Sequence, residues 1–568
     1  MKELFFIHER KNKKKMSNDM QVLKALPVLQ KICNTPTLSD YFNETIMPLS
    51  QMDYVPEKDM MLDAIFNETE RLYSPDTAHE IRNQIANFPV VETGTHLAFL
   101  RDYDSPKKDD LRSRLNQNIL ISASLMRQHG QKYHVGLYGS NVSLNHPCGG
   151  GYFQLGDDIY PVTSSKLINQ NCLYDAPAIK KTHFNETLPL IAKLKILNDV
   201  LTPEIVDKTP TPKKEVLIKT KKIVNTLLKP ISAGMLNYEG IEKAYRSLNA
   251  NNQSFLKTAM LSLSAEAYKK YGYTFSDIDK QYQKLNSVFN RTDLNLPDQV
   301  ALVQSQIIND ALDGTDIKHI SVDAIEVTRQ FLIKALENKD SLWYKVFNNP
   351  DNFKKMHQSF IGIRGSWKEN ESPFDYIARD KGFAKGVSLP ISAIDHKPKT
   401  LIPLLKDKKI IPSSALVVLL LQSCSVMAHG GFFQTTYADK IKKNFVRFLN
   451  DIGESKRAEQ LQKLPVDMAL LSLATERDKT GKPMKLSEIS RKSLDERKKI
   501  MDNIPKCPSG QAVMTALPVL RQYLDTTAPG YVESEANRCE CVQPVRHVEK
   551  TKELFTKMQQ RNALGRAV

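Results

Sequence analysis

The chain has 568 residues, with 41% hydrophobic residues and 80 Lys and Arg against 64 Asp and Glu. This length predicts two to four domains, and the composition is that of a globular protein, which excludes wholesale disorder. The formal charge of +16 is spread along the chain, and aromatic residues do not alternate with the basic runs as base stacking would require, so we do not expect nucleic acid as a partner.

The cysteines and the apolar runs indicate the compartment. Seven cysteines are scattered along the chain without a CxxC pair, a pattern that favours a reducing cytoplasm over a disulfide framework and predicts no metal site. The longest apolar run, at residues 415–421, is shorter than the ~20 residues that a membrane span needs. We therefore expect a cytoplasmic protein without a membrane-spanning segment.

The N-terminal part contains a basic stretch and then helical patterns. Residues 1–15 include KNKKK and resemble the translation of a purine-rich leader, so we interpret them as non-native or disordered and place the native start of a bacterial protein at Met16. Residues 16–89 have apolar side chains at helical spacing, and Ser74-Pro75 is a helix start signal. They predict an N-terminal helical region.

Residues 90–210 are predicted to form a small α/β unit. β-Branched residues before Gly94 favour an extended segment, residues 111–129 predict a long helix that Gly130 ends, and residues 132–138 predict a strand. A linker rich in Pro and Lys follows, and residues 211–349 predict a helical region in which Ser321 opens one helix.

The C-terminal part is predicted to be mixed at first and then helical. Residues 350–527 begin with Gly-rich loop and strand composition, and residues 413–428 predict one buried helix. Residues 528–568 form a polar tail. The predicted fold class is therefore mixed α/β and α-rich, with a small α/β unit and a large, mostly helical remainder.

The stretch at residues 133–158 contains the strongest candidate for chemistry. It joins a thiol, an imidazole and three consecutive glycines, whose backbone N–H groups can form an oxyanion hole or bind an anion. A thiolate there could act as a nucleophile, or the loop could bind a ligand without covalent chemistry, or it could be a plain turn. The candidate catalytic residues are Cys148, His96 and His146. His146 is two residues from the thiol and would not contact it directly in an extended chain, which makes His96 or His134 the better base.

The candidate substrate-binding residues are polar or glycine residues in this loop and in a second Gly-rich turn. An Arg can clamp an anionic substrate, and Ser, Asn and Gln side chains supply hydrogen bonds. The second turn, HGGFFQ, follows the predicted buried helix, although a helix C-cap would also explain its glycines. The predicted set is Arg101, Ser140, Asn141, Gly149, Gly150, Gly151, Asp157, His429, Gln434 and Tyr437.

These patterns predict an enzyme of unknown specificity, a transferase or a hydrolase, that binds a small anionic or amide-containing substrate at the Gly-rich loop. The triple glycine matches neither a P-loop nor GxGxxG, so no motif identifies a nucleotide or another cofactor. Two alternatives remain open: a helical interaction or effector protein, and a nucleic-acid-binding protein suggested only by net charge. An enzyme of this kind should bring Cys148, His96 and His429 to one pocket.

Overall fold

The computed structural model describes residues 21–22, 27–95, 111–141, 152–155, 158–161, 173–178, 186–232, 238–271, 274–284, 286–360, 376–378, 387–389, 394–430, 432–465, 489–490, 492–513 and 517. The chain divides into two compact units. Unit 1 comprises residues 1–96, 107–141 and 307–568, and unit 2 comprises residues 97–106 and 142–306. Most of the described residues are helical, which confirms the α-rich mixed α/β class.

Helices make up most of both units. Unit 1 begins with α1 (Pro27–Asn34), α2 (Leu38–Ile46), α3 (Pro56–Leu72), α4 (Pro75–Asn87) and α5 (Leu111–Gln128). Unit 2 contains α6 (Leu188–Val200), α7 (Pro203–Lys208), α8 (Lys213–Ser232), α9 (Tyr238–Arg246), α10 (Ala250–Ser262), α11 (Ser264–Tyr271), α12 (Phe275–Lys284), α13 (Asn286–Phe289) and the first part of α14 (Leu296–Leu312). Unit 1 continues with α15 (Ala324–Glu337), α16 (Leu342–Asn348), α17 (Pro350–Phe360), α18 (Pro398–Lys406), α19 (Ser414–Ser423), α20 (Phe432–Asp451), α21 (Ser455–Lys463) and α22 (Leu494–Asn503).

The described strands form three sheets. In chain order they are β1 (Val90–Thr95), β2 (Tyr133–Tyr138), β3 (Tyr152–Leu155), β4 (Asp158–Pro161), β5 (Lys318–Asp323), β6 (Tyr376–Ala378), β7 (Val387–Leu389), β8 (Ile410–Pro412) and β9 (Met427–His429). The central sheet of unit 1 has the order β5-β2-β1-β9, and all its pairs are parallel. Strands β3 and β4 pair in unit 2, and β7-β6-β8 form a small antiparallel sheet in unit 1.

Several elements that local sequence signals predict are present in the structure. The side chain of Ser74 accepts a hydrogen bond from the N–H of Thr77 and caps α4. Helix α5 ends at Gln128, and Gly130 follows with a φ of 69°, the left-handed conformation that favours glycine. The predicted strand at residues 132–138 is β2. No helix in the described part of the chain is both long and apolar enough to span a membrane.

Two strands of the central sheet lie where the sequence predicts helix, and both predictions are wrong. Ser321 does not open a helix but lies in β5, and α15 starts after Asp323, whose side chain accepts a hydrogen bond from the N–H of Ile325. The predicted helix at residues 413–428 ends at Ser423, and a turn with Ser425 at a φ of 56° leads into β9. Strand β9 is short and follows an apolar run, so it lacks the alternation that distinguishes a strand from a buried helix. Strand β5 does alternate polar and apolar residues, but Ser321 before an apolar helical pattern also resembles a helix N-cap.

The outer edge of β5 is closed by two side chains. The N–H of His319 donates to Oδ1 of Asn309 at 2.7 Å, and the carbonyl of His319 accepts from Nδ2 of the same amide at 2.9 Å. The hydroxyl of Tyr73 accepts a hydrogen bond from the N–H of Ser321 and donates one to the carbonyl of Ser321, both at 3.0 Å. These bonds replace those of a further strand and protect the edge from pairing with another chain.

We predict that Gly314→Ala destabilises the protein more than Gly130→Ala. Both glycines have positive φ, 74° and 69°, so each substitution costs about 1–2 kcal/mol in backbone strain. A Cβ at Gly314 would also lie 1.8 Å from Cδ1 of Leu494 on α22, whereas nothing lies within 4 Å of a Cβ at Gly130. Urea midpoints of the two variants measure the difference. Adding Leu494→Ala to Gly314→Ala should remove the clash and with it the additional destabilisation. Equal midpoints for Gly314→Ala and Gly130→Ala would contradict the packing argument.

Candidate functional site

A row of polar residues crosses one face of the central sheet. Partners in adjacent parallel strands point to the same face. The register partners are Ser321 on β5, Gly136 on β2, Glu92 on β1 and His429 on β9. Gly136 has no side chain, which leaves space next to Glu92 in the middle of the sheet. The three side chains of the row are buried, with exposures of 0% for Ser321 and His429 and 3% for Glu92.

A pair of histidines lies on the same face, two residues earlier in the strands. His134 on β2 and His319 on β5 are register partners and are both completely buried. Their rings are stacked, and the two Nδ1 atoms are 2.8 Å apart. Nε2 of His319 lies 2.9 Å from the hydroxyl of Ser321, and Nε2 of His134 lies 2.8 Å from Oε2 of Glu92. The last contact is too poorly aligned for a hydrogen bond, so we treat it as an electrostatic pair.

The contact between the two Nδ1 atoms requires one nitrogen to donate and the other to accept. Burial lowers the pKa of His319 well below its ordinary value, and the nearby His134 lowers it further. His319 is therefore the neutral member. The carboxylate of Glu92 lies on the other side of the pair, next to Nε2 of His134. We call the connected side chains of Glu92, His134, His319 and Ser321 the histidine chain.

His429 lies beside this chain at the edge of the sheet. Its Nε2 is 3.1 Å from the hydroxyl of Ser122 on α5, and its ring centre is 6.0 Å from that of His134. Its carbonyl accepts a hydrogen bond from the hydroxyl of Thr93 at 3.3 Å. Nδ1 of His429 is buried and has no partner among the described residues. Burial, and then the proximity of His134, lower the pKa of His429 well below its ordinary value, so the ring is neutral.

Two predicted residues therefore have surroundings different from those expected. His429 is not in an open turn that follows a helix; it lies in β9, beneath α5, because the apolar residues before it form a strand. His134 contacts other side chains at both ring nitrogens and is completely buried, so it is not available as a base for a thiol.

Ser140 and Asn141 lie just beyond the carboxyl end of β2. Ser140 is completely buried and Asn141 is 8% exposed, yet Oγ of Ser140 and Oδ1 of Asn141 have no hydrogen-bond partner among the described residues. The row that contains His429 crosses β2 at Gly136, four residues earlier. The structure therefore brings His429 together with Glu92 and His134, but not with Ser140 and Asn141.

The other predicted site residues remain predictions. Gln434 and Tyr437 lie within α20. The remaining predicted residues lie outside the part of the chain that the structure describes: Cys148, His96, His146, Arg101, Gly149, Gly150, Gly151 and Asp157. Within the described ranges, no three His, Cys, Asp or Glu side chains are arranged to hold a metal ion.

The sequence contained a signal for the histidine chain that pattern analysis did not use. In both β2 and β5 the second residue is a histidine that precedes a β-branched residue, in YHVGLY and KHISVD. A buried histidine in a parallel strand needs a polar partner on a neighbouring strand. Pairing the two segments would have identified the contact between His134 and His319.

A groove of about 1160 Å³ lies at the opposite, amino-terminal edge of β2 and β5. Its charged lining contains both signs: Arg127, Lys132, Lys318, Asp313, Asp316 and Asp502. Arg127 is paired with Asp502 at 2.7 Å. Ligands of open parallel sheets bind at the carboxyl ends of the strands, so we place the candidate site at the edge near Ser140 and Asn141 and not in this groove.

No family model, curated protein or solved structure matches the chain. The interpretation of the site therefore depends on its own geometry. That geometry consists of the buried histidine chain within the sheet and two polar side chains beyond the end of β2 that have no hydrogen-bond partner among the described residues.

We predict that the stability of unit 1 falls as the pH drops below about 6.5, and that His319→Gln reduces this loss. The folded protein keeps His319 neutral, whereas the unfolded chain binds a proton near the ordinary pKa of about 6.5. Above pH 6.5 neither state is protonated, and below it only the unfolded state gains the proton. Between pH 6.5 and 5.5 His319 should account for about 1 kcal/mol of lost stability.

Urea unfolding at pH 7.5, 6.5 and 5.5 measures this loss in the wild type and in His319→Gln. The matched control is His79→Gln, which replaces an exposed histidine on α4 and should leave the pH dependence of the wild type unchanged. Equal slopes for the wild type and His319→Gln would show that His319 is protonated in the folded state.

Proposed function

We propose that the chain is a cytoplasmic bacterial enzyme that binds a small anionic or amide-containing substrate at the carboxyl edge of its parallel sheet. The observation that carries this proposal is the strand order. From β1 the chain moves outward through β2 to β5, and β9 then adds on the other side of β1. Where the order of parallel strands reverses in this way, a crevice opens at their carboxyl ends, and ligands of α/β proteins bind there.

The chain order supports the same edge. His96 directly follows β1, Ser140 and Asn141 follow β2, and Gly430 follows β9. Residues from three neighbouring strands therefore leave the sheet on the same side, since all the strands are parallel. The predicted loop with Cys148 and the three glycines continues from Asn141 in the sequence.

The side-chain oxygens of Ser140 and Asn141, which have no partner among the described residues, suggest which groups the substrate carries. A buried Oδ1 without a donor costs free energy unless a ligand or water supplies an N–H or O–H. Asn141 therefore favours a substrate with an amide or hydroxyl donor, and the hydroxyl of Ser140 can donate to an anionic group. Both requirements are met by a small molecule that carries an amide next to a carboxylate or phosphate.

The proposed reaction is acyl or group transfer, or hydrolysis. In this reaction the thiolate of Cys148 adds to the substrate carbonyl, and the N–H groups of the glycine run stabilise the oxyanion. The bond from the carbonyl carbon to the leaving group then breaks, and the leaving group receives the proton that the candidate base His96 took from the thiol. Water or an acceptor nucleophile cleaves the resulting thioester and regenerates the thiol. If the loop only binds, the same N–H groups hold the anionic part of the substrate. The histidine chain lies within the sheet and connects β1, β2 and β5 through side-chain contacts. We assign it no contact with the reacting atoms.

We predict that small anionic or amide ligands raise the melting temperature of the full chain and that Asn141→Ala weakens this effect. The probes are inorganic phosphate, citrate, glutamine and asparagine at 10 mM, and a short DNA duplex tests the alternative suggested by net charge. A ligand at 100 times its Kd stabilises a protein by about 2.7 kcal/mol. Loss of one hydrogen bond to a buried Asn should weaken binding roughly tenfold.

The matched control is Asn87→Ala, which replaces an exposed asparagine on α4 and should keep the full response. If no small probe shifts the melting temperature, the proposed substrate classes are wrong. If Asn141→Ala and Asn87→Ala respond alike, the site does not include Asn141. A shift with DNA alone would favour the nucleic-acid alternative.

We predict that iodoacetamide at pH 7 modifies Cys148 at least tenfold faster than Cys507. Burial raises the pKa of Cys507 to about 11, so its thiolate is scarce at neutral pH. A nucleophile activated by the neighbouring N–H groups would instead be largely ionised. Peptide mass spectrometry over time gives both rates in one sample. Equal rates would remove the covalent mechanism and leave the binding role of the loop.

A further inference from the structure

Strand β9 is the least anchored strand of the central sheet. It has only three residues, and within the described chain it pairs with β1 alone. Beyond this pairing, the N–H of Met427 donates to the carbonyl of Pro89 at 2.8 Å. The contacts of His429 with Thr93 and Ser122 hold the end of the strand.

The surroundings of His429 accept a neutral ring and disfavour a charged one. A protonated ring has two N–H donors. One could donate to the hydroxyl of Ser122, but Nδ1 would remain buried without an acceptor among the described residues. A buried, unpaired N–H on a cation is strongly unfavourable.

The groups that face His429 from the neighbouring elements add to this effect. Strand β1 supplies Glu92, the register partner of His429, whose Oε2 lies against His134. Strand β2 supplies His134, whose ring centre lies 6.0 Å from that of His429, and β5 supplies the neutral His319 behind it. Helix α5 supplies the uncharged Ser122. The one carboxylate of this group is therefore already paired with a different imidazole.

We propose that protonation of His429 releases β9 from β1 while the rest of the central sheet stays paired. This inference goes beyond the proposed function and does not depend on a substrate. In the paired state the ring is neutral, and after release it is exposed to water and can take up a proton. Because β9 and β1 are the strand pair at which the order reverses, the release of β9 opens the carboxyl edge of the sheet on that side.

The pH dependence has a defined sign and slope. Burial keeps the pKa of His429 in the paired state well below its ordinary value, and the released ring has a pKa of about 6.5. Above pH 6.5 neither state binds the proton, so the equilibrium does not depend on pH. Below it, the equilibrium constant for release rises toward about tenfold per pH unit, because one proton is taken up.

Hydrogen–deuterium exchange of the full chain tests the proposal. Exchange of the amides in residues 427–429 and 133–138 is measured by mass spectrometry from pH 7.5 to 4.5 and corrected for the pH dependence of intrinsic exchange. We expect the protection of β9 to fall roughly tenfold between pH 5.5 and 4.5 and to stay well below that of β2, whose amides exchange only when the sheet unfolds. Constant protection of β9 would overturn the proposal. Equal protection of the two strands at every pH would also overturn it, because it would indicate that β9 opens only by global unfolding.

Variants identify the group that takes up the proton. His429→Gln keeps an amide that can bond with Ser122 but cannot be protonated in this range, so the exchange of β9 should become independent of pH. The control His79→Gln should keep the response of the wild type. If His429→Gln keeps it as well, another group is responsible and the proposal fails.

A second variant covers the case in which His429→Gln does not fold. Ser122→Ala removes the hydroxyl that contacts Nε2 but leaves the histidine in place. It should speed exchange of β9 roughly fivefold at every pH and keep the same slope below pH 6.5. A changed slope with an unchanged rate at pH 7.5 would contradict the assignment.

Discussion

The central constraint on unit 1 is the burial of a carboxylate and three imidazoles on one face of a parallel sheet. Buried polar groups are tolerated only when their hydrogen-bonding atoms find partners. The sequence meets most of this requirement: Gly136 leaves space for Glu92, and Ser321 and Ser122 provide hydroxyls for two imidazoles. A change at Glu92, Ser321 or Ser122 therefore acts on the sheet through electrostatics and hydrogen bonding, whereas a side chain at Gly136 would occupy the space next to Glu92.

The two edges of the sheet are maintained in different ways. At β5, the Asn309 amide and the Tyr73 hydroxyl fill the backbone bonding positions, and neither group titrates near neutral pH. At β9, the end of the strand depends on the ring of His429. One edge is therefore fixed over the physiological pH range, and the other responds to protons. The responsive edge adjoins the proposed binding region.

The sequence predicted the features that have local causes. Ser74 and Gly130 mark helix ends through their own backbone chemistry, and β2 follows such an end directly. Ser140 and Asn141 were predicted from their turn-forming residue types and do lie in a turn after β2; their role in substrate binding stays a prediction. The contact between His134 and His319 joins residues 185 positions apart, so no local pattern contains it. His429 was identified as a candidate, but its strand was not, because β9 is too short and too apolar to show alternation.

The pairing of β1 with β9 also affects biosynthesis. Thr93 and His429 form a hydrogen bond across 336 positions of the chain, so at roughly 5–20 residues per second the ribosome makes the second partner about 20–70 s after the first. The residues of unit 2 emerge within this interval and can fold first. During this interval, β9 has not yet been synthesised, so the edge of β1 with which it pairs is open. A chaperone that shields exposed strand edges would act on the nascent chain during this interval, and slowing translation would lengthen it.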